Sequence, residues 1–227
     1  MKKGQLLTVV FFVFSIMGFT QDVKPEKPDY KTIKKEISKK KSEFYYPDLL
    51  ERFQNADTTM TLKEKRYLYY GYSFQDAYSP YGESDYEDSL RTLARKENPT
   101  EPELKKICDF ADSVLVESPF NLTAINSQLY ALDELQEILK FNERLSQMQM
   151  VLDALFSSGD GLEKETAFYV LYVSHEYAVL SIMGYEFRGQ SLIEHYDYLT
   201  VAKNPEKIEG FYFDISPCLD SMKEMFK

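Results

Sequence analysis

The chain has 227 residues, and 27 Lys and Arg against 37 Asp and Glu give it a formal net charge of −10. This balance argues against nucleic acid and anionic membrane as partners, because both are bound through clustered basic side chains. Hydrophobic residues make up 44% and charged residues 28%, which is typical of a globular protein and excludes a low-complexity chain. Because His175 and His195 are the only histidines, the chain has few side chains for metal binding or for histidine-based catalysis.

The first twenty residues have the pattern of a secretory signal peptide. Two lysines precede an apolar stretch over 6–19, which is shorter than the roughly 20 residues that a membrane-spanning helix needs. The small Gly18 and Thr20 predict cleavage between Thr20 and Gln21. We therefore expect an exported protein, periplasmic or extracellular, with no membrane span and with a flexible lead-in over 21–28.

Helical patterns dominate the next part of the chain. Asp29 offers an N-cap to the first helix, and three hydroxyl residues each stand three positions before a Glu, the pattern of a capping box. These capping boxes predict helix starts near Leu62, Asp85 and Glu101, and they pair Thr61 with Glu64, Ser84 with Glu87 and Thr100 with Glu103. A turn is expected over 133–136, because one helix from 122 to 156 would be unusually long.

The pattern changes after the glycine-bearing segment 157–161. Strands are expected over 167–173 (where the length alone leaves a helix open), 185–193 with a bulge at Gly189, 197–202 and 210–215. A short helix is expected over 174–184, and a last one begins at Pro217. Helices followed by a small antiparallel sheet and a C-terminal helix define an α+β fold. We expect one domain over 29–227, with a helical part over 29–157 and a sheet-containing part over 162–227.

Tyrosines are concentrated in the segment 67–81. Tyrosine gives rigid contact surface with a polar tip, and such residues are enriched at recognition sites. On a helix, Tyr67, Tyr70 and Phe74 are expected in the core. The candidate binding patch consists of the tyrosines that cannot share that face fully and are expected to be partly exposed, Tyr69, Tyr72, Tyr78 and Tyr81. The alternative is that these four cover neighbouring helices.

Two cysteines, Cys108 and Cys218, leave two interpretations open. A disulfide between them would suit an oxidising compartment. Alternatively, Cys108 lies on an apolar helical face, where a free thiol behaves as a small hydrophobic side chain. Their spacing matches no metal-binding motif.

Catalytic motifs are incomplete in this chain. His175 and Glu176 begin a His-Glu-x-x-His zinc motif, but Val179 stands in the place of the second His. Neither a Gly-x-Ser-x-Gly elbow nor a Walker loop occurs. His195 is expected in a turn. We assign no catalytic, cofactor-binding or metal-ligating residue, although a pair of carboxylates in a cleft would be enough for a glycosidase.

Two resemblances add to this interpretation. The segment 116–132 resembles the join between two tetratricopeptide repeats, but the 58 positions from Tyr67 to the equivalent Ile125 exceed the 34 of the repeat, so any such hairpins are degenerate. A series of short tracts over most of the chain resembles the exported bacterial family called domain of unknown function 4919. The tracts are Phe44-Tyr45-Tyr46-Pro47, Asp57-Thr58-Thr59, Tyr69-Tyr70-Gly71-Tyr72, Ser79-Pro80-Tyr81-Gly82, Ser157-Ser158-Gly159-Asp160-Gly161, Ser174-His175-Glu176-Tyr177, Gly189-Gln190-Ser191-Leu192 and Asp197-Tyr198-Leu199.

The family resemblance implies secretion, a helical front half and a small sheet, without an assigned activity. Together with the residues, it predicts a non-enzymatic binding or interaction module of the cell envelope whose partner is a protein, peptide or glycan. The alternative is a carboxylate-based hydrolase that acts on glycans. No cofactor is expected in either case.

Overall fold

The computed structural model describes residues 25–82 and 84–225, so the predicted signal peptide lies outside the described residues. The helices are α1 (Tyr30–Ile37), α2 (Tyr46–Gln54), α3 (Leu62–Gly71), α4 (Glu87–Ala94), α5 (Glu101–Glu117), α6 (Leu122–Glu134), α7 (Ile138–Phe156), α8 (Val173–Ile182) and α9 (Ser216–Met225). The strands are β1 (Phe168–Tyr169), β2 (Phe187–Ile193), β3 (Tyr196–Val201) and β4 (Gly210–Asp214). Single turns of 3₁₀ helix cover Tyr72–Phe74 and Lys164–Thr166. The predicted α+β order is confirmed.

Local side-chain bonds set most of the predicted helix starts. The Asp29 carboxylate accepts the N–H of Thr32 at 3.0 Å, which caps α1. At α3, the Thr61 N–H donates to Glu64 Oε2 at 2.7 Å, and the Glu64 N–H donates back to Thr61 Oγ1 at 3.2 Å. These reciprocal bonds satisfy backbone donors that a helix start leaves without partners. The Glu103 carboxylate accepts the Thr100 N–H at 2.8 Å at the start of α5.

The helix that was predicted to begin near Asp85, with Ser84 as its N-cap residue, begins two residues later. Helix α4 begins at Glu87 with Tyr86 as its N-cap residue. The hydroxyl of Ser84 accepts the N–H of Tyr86 at 3.3 Å, and the Ser84 carbonyl accepts the N–H of Glu87 at 3.0 Å. A serine that bonds the backbone two residues further on favours a turn over a helix, so the helix starts later.

The helical part is built around α3. This helix contacts α1, α2 and α7, while α5 contacts α4 and α6, and α6 contacts α7. The expected turn between α6 and α7 is confirmed, with Gln136 in the left-handed region at φ 57°. Buried Ile107, Leu129 and Leu152 contribute to the core between α5, α6 and α7.

The sheet has the strand order β1-β4-β3-β2. The pairs β2–β3 and β3–β4 are antiparallel as expected, whereas β1 runs parallel to β4, so the sheet is mixed. The pairing of β2 with β3 shifts register between Phe187 and Gly189, which confirms the bulge predicted at Gly189. Strand β1 occupies only two residues of the expected strand over 167–173, and α8 follows it from Val173.

Both parts contribute to one apolar cluster. Phe168 of β1 contacts Phe156 of α7 with ring centroids 5.5 Å apart, and it also contacts Phe213 of β4 at 5.6 Å. Leu199 of β3 is fully buried in the same cluster. Of the helices in the described ranges, none combines the length and apolar character needed to cross a membrane.

Candidate functional site

The predicted tyrosine patch is not exposed as a unit. Tyr69 is 1% exposed and Tyr72 is 3% exposed, so the expectation of partial exposure is wrong for both. Tyr78 is half-buried, and Tyr81 is 44% exposed. The expectation that Tyr70 lies in the core is confirmed.

Tyr69 is buried because its hydroxyl group has partners inside the protein. The ring nitrogen Nδ1 of His175 lies 2.7 Å from the Tyr69 hydroxyl, and the Leu171 N–H donates to the same hydroxyl at 3.3 Å. The other ring nitrogen of His175, Nε2, lies 2.8 Å from the carbonyl oxygen of Phe120. A carbonyl only accepts, so Nε2 carries the proton, and Nδ1 accepts the hydroxyl proton of Tyr69.

This network excludes the zinc interpretation of His175. Burial lowers the pKa of the imidazole to about 4, so His175 is neutral at pH 7. Both ring nitrogens are already engaged by Tyr69 and Phe120. Within the described part of the chain, no three His, Cys, Asp or Glu side chains are grouped so that they could hold a metal ion. His175 therefore links α3 and α8 in the interior.

Tyr72 and Tyr78 also direct their hydroxyl groups to the backbone. Tyr72 donates to the carbonyl oxygen of Glu117 at 3.1 Å, and Tyr78 donates to that of Leu171 at 2.7 Å. Their rings are in edge contact, with centroids 5.7 Å apart. The buried members of the patch thus cover neighbouring elements, which was the alternative interpretation.

A groove with a volume of about 470 Å³ opens between α2, α5, α7 and the segment 72–77. Its apolar lining is Leu50, Phe53, Tyr72, Ala77, Leu115, Val116 and Pro119, and its polar lining is Gln54, Asp112, Arg144 and Gln147. Val116 is 86% exposed although it is a large apolar residue. Four separate segments form this groove, so no sequence motif marks it, and only Tyr72 belonged to the predicted patch.

One side of the groove holds an ordered polar network. Arg144 Nη2 lies 3.0 Å from Asp112 Oδ1, and Arg144 Nη1 donates to Gln147 Oε1 at 2.6 Å. Gln147 Nε2 donates to the carbonyl oxygens of Phe53 and Gln54 at 2.9 and 3.1 Å. An apolar floor beside a few fixed polar groups is the usual composition of a ligand site. The lining contains no Ser, Cys, Lys or His, and its one carboxylate, Asp112, is paired with Arg144.

A buried carboxyl pair lies outside this groove. Glu176 of α8 is 0% exposed and Asp197 of β3 is 4% exposed. Burial raises the pKa of Glu176 to about 9, and the charge of Asp197 contributes further. The sequence did not indicate that these two residues form a pair, because 21 positions separate them. A catalytic carboxyl group must reach its substrate, and Glu176 is closed to solvent.

The remaining predicted residues have structural positions. His195 lies in the turn between β2 and β3, as expected, and its Nε2 lies 3.4 Å from Asp214 Oδ2. Cys108 and Cys218 are both free, so the disulfide interpretation is not realised in this structure. The Cys218 thiol donates to the carbonyl oxygen of Leu171 at 3.3 Å. Burial raises the pKa of Cys108 to about 11 and that of Cys218 to about 12, which keeps both thiols protonated.

The fold and these sites can be set beside known proteins. A family model described as Domain of unknown function (DUF4919) matches residues 31–224, which is most of the chain, so the chain belongs to this family. The curated proteins and the solved structures give no match.

Proposed function

We propose that this chain is an exported, non-enzymatic binding module of the cell envelope, and that its ligand lies in the groove between α2, α5 and α7. The ligand class is a protein segment, a peptide or a glycan. The observation that carries this proposal is the groove itself, with its exposed Val116 beside the Arg144–Asp112 ion pair. An apolar groove that holds a few fixed polar groups has the composition of a ligand site.

Export is the second part of the proposal. It is supported by the basic and apolar pattern of the first twenty residues and by the small residues before Gln21. Intact mass of protein recovered from the source cells tests it. A chain that begins at Gln21 is the expected result, and a chain that retains the first twenty residues contradicts export.

The competing function is a carboxylate-based hydrolase that acts on glycans. Such an enzyme needs two carboxyl groups that face a substrate across a cleft. The groove lining contains one carboxylate, Asp112, and that group is paired with Arg144. The pair Glu176 and Asp197 is buried. These observations favour binding over hydrolysis.

A substitution that fills the groove tests the proposed site. Ala77 lines the groove and is exposed, so Ala77→Trp places a large ring in the groove at little cost in folding. Asp76→Trp is the matched control, because Asp76 is exposed on the same turn and is absent from the lining. A photoreactive phenylalanine analogue at Val116 serves as the crosslinking probe in source cells, and the same probe at the exposed Leu162 reports non-specific contact.

The expected result is a discrete crosslinked species from position 116 that is absent from position 162. Ala77→Trp should reduce that species at least about tenfold, which corresponds to about 1.4 kcal/mol of binding free energy. Asp76→Trp should leave it unchanged. Crosslinking that is equal at both positions, or insensitive to Ala77→Trp, would show that the groove is not the ligand site.

A further inference from the structure

The interior junction between α8 and β3 holds two carboxyl groups with unequal hydrogen bonding. Asp197 Oδ2 accepts Gln190 Nε2 at 2.6 Å, and Gln190 Oε1 accepts the hydroxyl of Tyr177 at 2.7 Å. In contrast, no donor group reaches either carboxyl oxygen of Glu176 within the described ranges, and the side chain within hydrogen-bonding reach of Glu176 is the carboxyl group of Asp197. A buried carboxylate without a hydrogen-bond donor is strongly disfavoured, so this site favours the protonated form of Glu176 over the ionised form.

Within the described ranges, no Lys or Arg contributes to the electrostatic environment of Glu176, so no positive charge stabilises a second carboxylate there. The titratable groups that face Glu176 are Asp197 on β3, Tyr81 before α4, Cys218 on α9 and Tyr177 on its own helix. Its chain neighbour His175 is neutral at pH 7. Two adjacent carboxyl groups in such a site hold one proton between them, because like charges at short range cannot both ionise.

We propose that Glu176 and Asp197 form a carboxyl clasp, in which the protonated Glu176 donates its hydrogen to the Asp197 carboxylate and so holds the β2–β3 hairpin against α8. Loss of that proton places two negative charges in the buried junction and opens the clasp. Tyr177 makes further contacts between α8 and the hairpin, through its bond to Gln190 and its ring contact with Phe187 at 5.1 Å.

The direction of the pH effect follows from the acid form. Burial first, and then the charge of Asp197, raises the pKa of Glu176 from its ordinary value of 4.5 to about 9. A carboxyl group whose pKa is higher in the folded chain stabilises the fold fully below its unfolded pKa. That contribution is lost as the pH rises through the folded pKa. The contribution of the clasp to stability is therefore largest in acid, falls as the pH rises, and is lost in the alkaline range, where the clasp opens.

Infrared spectroscopy of the full chain tests the protonation directly. The C=O stretch of a protonated carboxyl group is separate from the bands of carboxylates and of the amide backbone. At pH 7 the wild-type protein should show this band, and it should disappear at about pH 9 and above. Glu176→Gln should remove the band, whereas the control Glu206→Gln, in the exposed loop between β3 and β4, should retain it. A wild-type spectrum without the band at pH 7 would overturn the proposal.

Asp197→Asn gives a second test of the shared proton, which does not require that the Glu176→Gln variant folds. Asn retains the shape and removes the charge that keeps the proton on Glu176. The protonated-carboxyl band should therefore disappear at a lower pH in Asp197→Asn than in the wild type. The same midpoint pH in both proteins would show that Asp197 does not share the proton.

Trypsin cleavage at Arg188 reports whether the hairpin opens. Arg188 lies at the bulge of β2, between Phe187 and Gly189, which pair with Val201 and Thr200, and a peptide bond within a paired strand is protected until the strand is released. At about pH 9.5 the wild type should be cut at Arg188 at least about fivefold faster than Glu176→Gln. At pH 7 the two proteins should be cut at the same rate. Equal rates at both pH values would show that the pair does not hold the hairpin.

Discussion

At the residue scale, the buried tyrosines act as structural hydrogen-bond donors and acceptors. Tyr69 is the clearest case, because its single hydroxyl group serves both His175 Nδ1 and the Leu171 N–H. Removing one partner of a buried hydrogen bond lowers the free energy of unfolding by more than the net contribution of that bond, because the other partner stays buried without a hydrogen bond. The chain contains no Trp, so tyrosines and phenylalanines together supply the large aromatic volume of the core.

We expect Tyr69→Phe to lower the free energy of unfolding by about 1 to 3 kcal/mol at pH 7. The ring volume is kept, but His175 Nδ1 loses its hydrogen-bond donor. Urea unfolding measures the change. Tyr81→Phe is the matched control, because Tyr81 is exposed and its substitution should change stability by less than about 0.5 kcal/mol. Similar losses in both variants would contradict the role of the Tyr69 hydroxyl.

The burial of Tyr69 and Tyr72 shows where prediction from one sequence fails. The periodicity of an isolated helix describes one apolar face and leaves the other faces to solvent. Helix α3 contacts α1, α2 and α7, so several of its faces are covered. The number of neighbours around a helix is a tertiary property, and no local pattern in 67–81 encodes it. The groove and the carboxyl clasp were missed for the same reason.

At the scale of secondary-structure elements, the bounds that depend on local chemistry were predicted well. The capping boxes at Thr61 and Thr100 place α3 and α5 correctly, because their partners lie only three residues away. The bulge at Gly189 and the turn at 133–136 also follow from nearby residues. The parallel pairing of β1 with β4 joins strands more than 40 residues apart, which composition and spacing do not specify.

We expect Thr61→Ala to lower the free energy of unfolding by about 1 kcal/mol, because α3 loses its N-cap hydroxyl. The loss should be visible in thermal or urea unfolding at pH 7. Thr58→Ala is the control, since Thr58 is exposed in the preceding turn and outside the helix. The prediction fails if the two alanine variants have the same stability.

At the scale of the whole molecule, the helical and sheet-containing parts share one apolar cluster, and the glycines of 157–161 lie between them. A Cβ on Gly159 would lie 1.9 Å from the carbonyl oxygen of Thr166, which backbone geometry does not tolerate. Gly161 has φ 73°, and a Cβ there would meet the Phe168 ring at 2.6 Å. These close approaches bring the sheet directly against the end of α7.

We propose that the parts over 29–157 and 162–227 unfold as one unit, because separating them would expose the rings of Phe156, Phe168 and Phe213. Gly159→Ala should lower stability by at least about 2 kcal/mol. Circular dichroism of the helices and amide hydrogen exchange of the strands should give the same urea midpoint, in the wild type and in the variant.

Gly189→Ala is the control for the glycine prediction. A Cβ at position 189 would meet only Thr200 Oγ1, at 3.2 Å, in a strand that tolerates a side chain. Its effect should be smaller than that of Gly159→Ala. Helix and strand signals that separate into two transitions would contradict unfolding as one unit.

The place of β4 in the sheet bears on when this protein can fold. Of the strands in the described residues, Gly210–Asp214 is the last in chain order, yet it lies between β1 and β3 and is the strand that connects them. While the chain emerges, β2 and β3 can form a hairpin, but β1 has no strand beside it until residue 214 is available. The sheet is therefore completed only after residues 210–214 have been synthesised, so an emerging chain that lacks them holds β1 and the β2–β3 hairpin without the strand that connects them.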